Sequence, residues 1–281
     1  MTSRSLLRWV TVFAGMVLLT IVMTWPLARL LDRAASDSGD PFILTWTLHY
    51  DWEKTFSEPL SLFQAPIFHP SKYALAFSEH VYGIALFCFP FFFAGLAPLT
   101  VYNIAVLAGF VFTGIGAFVL CRRATGSDAG AWAGAIFFAF LSFRFAHLAH
   151  LQHLWAVWLP LMLAALLYYF ERPAWSRALL VGGAFFMNGL TNIHWFLFGS
   201  VTFGLTAIVI AAYERHALRR LIPLATALAL ACLLLLPFLL PYKKVEEMYG
   251  MKRPLDEIRY YSAEASDWMR PPMASRLYGW S

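Results

Sequence analysis

The sequence predicts an all-α fold, a polytopic transmembrane helical bundle of about seven spans with a large extracytoplasmic loop after the first helix. Three observations predict it. Apolar residues make up 60% of the 281-residue chain and charged residues only 13%, whereas a soluble domain carries roughly 45–50% and about 25%. The apolar excess is gathered into uncharged runs of about 20 residues, the length that crosses a bilayer. Between the runs stand short arginine clusters, Arg4/Arg8, Arg122/Arg123, Arg172/Arg177 and Arg215/Arg219/Arg220, which is the asymmetry of loops kept on the cytoplasmic side.

The first span is read at 9–31, behind Arg4 and Arg8. It exceeds the roughly 7–15 apolar residues of a cleaved signal, and Trp25-Pro26 does not suit a cleavage site, so it is expected to stay as a signal anchor. Further spans are read at 101–121, 129–147, 151–170, 174–191, 194–213 and 221–241. Residues 178–213 contain no Asp, Glu, Lys or Arg. As one helix they would run roughly 54 Å at ~1.5 Å per residue, too long for a single crossing. Asn188, Asn192 and His194 mark the polar tip that divides them.

The stretch 81–99, VYGIALFCFPFFFAGLAPL, is apolar enough to cross but holds Pro90 and Pro98. If it lies at the interface or enters and returns, all four arginine clusters share one side. If it crosses, the later clusters change sides. Charge asymmetry sets orientation, so it is expected to be re-entrant or interfacial, with the N-terminus cytoplasmic. Residues 1–241 then form the helical domain. The outer face receives 32–80, the stretch from Ser142 to His153, the Asn192–His194 tip and the tail 242–281. The 32–80 loop has seven acids and three bases, a net charge of −4. The tail ends in LYGWS without a closing element and is read as the truncated start of a further domain.

Net charge +5 does not indicate nucleic acid, because the arginines are explained by topology. Cys88, Cys121 and Cys232 all lie in apolar runs and predict no disulfide framework. No repeat, Gly-rich phosphate loop, CxxC pair or HExxH is present. The inner loops are too short to house cytoplasmic nucleotide chemistry.

The residues able to do chemistry fall almost entirely on the outer side. Asp37 and Asp40 sit in SDSGDP, just after the first span. A carboxylate there can take a proton from a hydroxyl or hold a divalent metal ion; the same residues also read as a solvated acidic turn. Residues 41–58 place Phe42, Trp46, His49 and Tyr50 around Asp51 and Trp52, which fits an amphipathic helix on the membrane surface. Glu79 and His80 can join a metal or phosphate site, or cap the apolar stretch that follows. Arg144, His147 and His150 are three residues apart and would share one helical face. Arg and His at an outward helix end suit an anion such as a lipid phosphate, or, for the histidines, a metal; snorkelling at the interface is the plain alternative.

The chain resembles the GT-C superfamily of membrane glycosyltransferases, which use polyprenyl-phosphate sugars. The likeness spans roughly residues 1–215. It rests on the early acidic pair Asp37 and Asp40 in a long outer loop, the re-entrant stretch before the second span, the segment CRRATGSDAGAWAGAIFFAF and the outer Arg144. GDPFILTWTLHYDW, PIFHPSKYALAFSEH and RFAHLAHLQHLWAVWLPL look like an uncharacterised bacterial branch. The chain departs from branches with an adjacent Asp-Glu, since its acids are three apart.

The resemblance implies an inverting glycosyl transfer on the outer face of a bacterial inner membrane. A lipid-linked sugar is the donor, and a hydroxyl of a glycan, lipid or protein the acceptor. Asp40 is implied as base and Asp37 as its support or a ligand of a divalent metal ion. Arg144, His147 and His150, with Glu79 and His80, are implied at the phosphate. The competing expectations are a transporter or flippase of a lipid-linked glycan, which needs polar residues within the spans, and a non-catalytic membrane assembly protein.

Overall fold

A computed structural model describes residues 3–214 and 218–267. Every regular element among them is helical: α1 (Ser3–Met23), α2 (Asp40–Ser57), α3 (Tyr82–Phe93), α4 (Pro98–Thr125), α5 (Asp128–Ala139), α6 (Ser142–Ala146), α7 (Leu151–Leu154), α8 (Trp158–Glu171), α9 (Trp175–Thr191), α10 (Ile193–Glu214), α11 (Ile222–Tyr249) and α12 (Leu255–Tyr260), with short 3-10 turns between some of them. Six helical stretches among the described residues are long and apolar enough to cross a membrane: Ser5–Met23, Pro98–Thr125, Asp128–Ala146, Leu151–Glu171, Ile193–Tyr213 and Ile222–Tyr249. That is the make-up of a multi-pass membrane protein. A seventh span was expected at 174–191, and α9 stands there with 17 residues, the short end of what crosses a bilayer. Helix α3 has 12 residues, about 18 Å at ~1.5 Å per residue, and is too short to cross.

Helix α4 is the centre of the bundle and packs on α1, α2, α3, α5, α7 and α8. One buried cluster joins α2, α3, α4 and α7 through Leu48, Ile84, Cys88, Tyr102, Phe110 and Leu154. A second, with Met162, Tyr169, Val181, Phe203 and Ala227, holds α8, α9, α10 and α11 together. Small residues allow the closest approach. A Cβ on Gly182 of α9 would lie 2.8 Å from the Ala227 carbonyl of α11, so the two helices touch through backbone, as membrane helices do at small residues.

Segment 32–80 is not an unstructured loop. Its helix α2 buries Leu44, Thr47, Leu48 and Asp51, the i, i+3, i+4, i+7 stripe of a helix packed on one face. The following stretch packs Leu62, Phe63 and Leu75 against Phe238, Tyr242 and Val245 of α11.

The turns fix two chemically different ends. At one end Gly126 (φ +70°) closes α4, with its N–H on the Arg122 carbonyl, and the Ser127 side chain caps α5 by accepting from the Gly130 N–H. Asp128 in the first turn of α5 pairs with Arg122 (2.5 Å) and Arg8 (3.1 Å), and Arg123 pairs with Glu171 (2.5 Å). The Arg172/Arg177 cluster lies at this end, with the Arg177 guanidinium 3.7 Å from the Tyr168 ring centre. Arg215 of the fourth cluster lies outside the described residues, as do Arg270 and Arg276 of the tail. At the opposite end of α4, Asn103 donates to the Leu31 and Ala34 carbonyls (2.8 Å each), which ties down the chain leaving α1. The Ser36 hydroxyl donates to the Leu148 carbonyl (3.0 Å).

Candidate functional site

Those two ties bring the start of α2 beside the turn between α6 and α7. Asp40 is the first residue of α2, and its Oδ2 lies 3.2 Å from His150 Nε2. Both side chains are open to solvent, 56% for Asp40 and 39% for His150. Asp37 does not join them. Its Oδ1 accepts from the Gly39 N–H (2.8 Å), an Asx turn that shapes the entry to α2.

His150 belongs to a group of four imidazoles. Ring centres of His147, His150 and His153 lie 5.3–5.7 Å apart, and His153 is 5.4 Å from His194. His194 Nδ1 is 3.0 Å from Glu79 Oε1. The same oxygen accepts from the Ile193 N–H (2.9 Å) at the start of α10, where a carboxylate complements the helix dipole. Asn192 places this element: its Nδ2 donates to the Gln152 carbonyl and its Oδ1 accepts from the Trp195 N–H, each at 2.8 Å. A line of titratable groups thus runs from Asp40 through the four histidines to Glu79. Among the described residues no group of three or more His, Cys, Asp or Glu is arranged to hold a metal ion.

Two sequence expectations are corrected. Arg144, His147 and His150 do not share a helical face, because the helix breaks at Phe140–Leu141, resumes for only five residues and ends at Ala146. His147 and His150 meet across the turn instead. Arg144 is 2% exposed and serves the broken backbone. Its Nε donates to the Phe138 carbonyl (2.9 Å) and its Nη1 to the carbonyls of His153 (2.9 Å) and Leu154 (3.0 Å). Those carbonyls sit at helix ends without partners in their own helices, so the guanidinium holds the histidine turn from behind.

Glu79 and His80 also part company. Glu79 joins the histidines, whereas His80 turns the other way, and its Nε2 lies 2.9 Å from Asp51 Oδ1. Asp51 is completely buried. Burial pushes its carboxyl above the usual range, partly offset by the charge and hydrogen bond of His80. Asp51 Oδ2 and His80 Nδ1 are both buried without a partner. Sequence reasoning passed over this dyad, and also over the parts played by His153, His194 and Asn192. The available signal for Asp51 was its register with Leu44 and Leu48 on the inward stripe of α2. Compared with protein-family models, with curated proteins and with solved structures, the chain matches none.

Proposed function

We propose that the chain is a membrane glycosyltransferase of GT-C type, working from a polyprenyl-phosphate sugar at the histidine end of the bundle. That end would face outward from a bacterial inner membrane, with 32–80 as the large extracytoplasmic segment. The observation that carries the reading is the contact between an exposed carboxylate, Asp40, and an exposed imidazole, His150, at the edge of a four-histidine cluster. A base and a patch of ring N–H donors within one side chain of each other are what transfer from a phosphate needs.

In this scheme the acceptor hydroxyl gives its proton to Asp40 as its oxygen bonds the sugar's anomeric carbon. The bond from that carbon to the phosphate oxygen breaks, and the oxygen keeps the electron pair. The negative charge that develops on the departing lipid phosphate is met by hydrogen bonds from the His147, His150 and His194 imidazoles. Glu79 holds His194 in place. Asp37 shapes the turn that presents Asp40, and Arg144 supports the cluster without contacting substrate. No step is assigned to a metal ion.

The test compares cell-surface and lipid-linked glycans by mass spectrometry in cells lacking the gene, complemented with wild type or Asp40→Asn. A glycan restored by wild type alone supports the reading and names the sugar. Full restoration by Asp40→Asn removes the base and sinks it.

A further inference from the structure

One cavity lies away from the histidines. It is a lateral groove of about 630 Å³ between α1/α4 and α8/α9, within the roughly 300–1,000 Å³ of small-ligand sites. Its walls are apolar, with Trp9, Val119, Leu161 and Leu180 among them, and Arg122, Arg123 and Tyr168 line it at the arginine end of the bundle. We infer that the groove binds an anionic phospholipid, with an acyl chain along α8 and the phosphate against Arg123.

Three observations carry this. The first is length. The groove follows α8 from Trp158 to Tyr168, about 15 Å at ~1.5 Å per residue, which is half the ~30 Å hydrocarbon core and so one leaflet deep. The second is charge. Among the described residues at this end, Arg8, Arg122 and Arg123 share the two carboxylates Asp128 and Glu171 and Arg177 lies on the Tyr168 ring, more cations than carboxylates in these contacts and of the sign that draws anionic headgroups. The third is an unsatisfied donor. Arg123 uses Nη2 on Glu171, but its Nε is buried with no acceptor. A buried donor without a partner is costly, and a phosphate oxygen in the groove would satisfy it once the guanidinium turns from the Tyr168 ring, now 4.5 Å away. A zwitterionic lipid offers the same phosphate but cancels the field with its own cation.

The test is native mass spectrometry of the full chain in detergent, titrated with phosphatidylglycerol, phosphatidylcholine of matched chains, and polyprenyl phosphate. Wild type is expected to bind phosphatidylglycerol about fivefold more tightly than phosphatidylcholine, as one arginine at an anionic surface gives. Arg123→Gln should erase that preference. Gly183 lines the groove, and a Cβ there meets nothing within 4 Å, so Gly183→Phe should fill the space without disturbing the helix and weaken both phospholipids. Equal binding of the two lipids by wild type overturns the inference. So does a phosphatidylglycerol preference that survives Gly183→Phe, or binding of polyprenyl phosphate alone. Lipid adducts are read without turnover, so these outcomes stand apart from the glycosyl-transfer reading.

Discussion

The two ends of the bundle handle charge in opposite ways. At the arginine end the charged side chains are partly exposed and pair guanidinium to carboxylate, Arg122 and Arg8 with Asp128 and Arg123 with Glu171 at the foot of the neighbouring helix. At the histidine end the polar groups come from α2, the α6–α7 turn, α10 and the chain before α3, and they are brought together over long sequence distances. Such salt bridges fasten helix ends. A convergence of carboxylates and imidazoles from four elements costs more to assemble and is the pattern of a site rather than a fastening.

The largest expected effect separates the ends most sharply. Asp40→Asn should lower glycosyl transfer about 10²–10⁴-fold, the usual worth of a positioned base, with unchanged protein in the membrane fraction. Arg8→Gln at the other end should leave transfer at the wild-type rate. Equal losses in an assay of membrane preparations would mean that both variants act through folding and that the contrast between the ends is false.

Arg144→Met tests whether the buried arginine is scaffold. The Phe138 and His153 carbonyls lose their donor while Leu154 keeps the Thr113 hydroxyl (2.9 Å), so the variant should lose about 2–6 kcal/mol, at ~1–3 kcal/mol per stranded buried group, read as thermal unfolding in detergent. Arg144→Lys should recover little, because an ammonium cannot span carbonyls on two sides as the guanidinium fork does. A stable Arg144→Met that has lost only lipid-phosphate binding would return Arg144 to the role its sequence position suggested.

These cases show how much was legible. The long apolar helices were, because span length and charge asymmetry are local properties of sequence. Asp40 and His150, both singled out in the sequence, do meet in the fold. The break between α5 and α7 was not legible: hydropathy runs through Phe140 and Leu141 without a mark, and the i+3 spacing of Arg144, His147 and His150 looks helical. Contacts such as Asp51 with His80, 29 positions apart, or Glu79 with His194, 115 apart by backbone, arise only when α2, α3 and α10 pack.

The Asp51–His80 dyad gives the third prediction. The Asp51 carboxyl titrates higher folded than unfolded, with burial as the first cause. The folded state therefore holds that proton more tightly. This contribution to stability is complete below the unfolded value of about 3.9 and is lost as pH rises through the raised folded value. Melting in detergent should accordingly show Asp51→Asn gaining on wild type as pH rises across that window. Asp51→Ala should cost about 1–3 kcal/mol by stranding the His80 ring. Parallel melting curves of wild type and Asp51→Asn would remove the titration.

The smallest effect belongs to the arginine end and concerns backbone alone. Gly126 takes a left-handed conformation (φ +70°) to turn the chain from α4 to α5, and nothing lies within 4 Å of where its Cβ would be. Gly126→Ala therefore meets no clash and carries only the conformational penalty, roughly 1 kcal/mol. Transfer at the distant histidine end should not change. A loss of activity larger than the loss of stability would mean that the Arg122–Asp128 turn communicates with the histidines through α4 or α5, and the two ends would then have to be treated as one device.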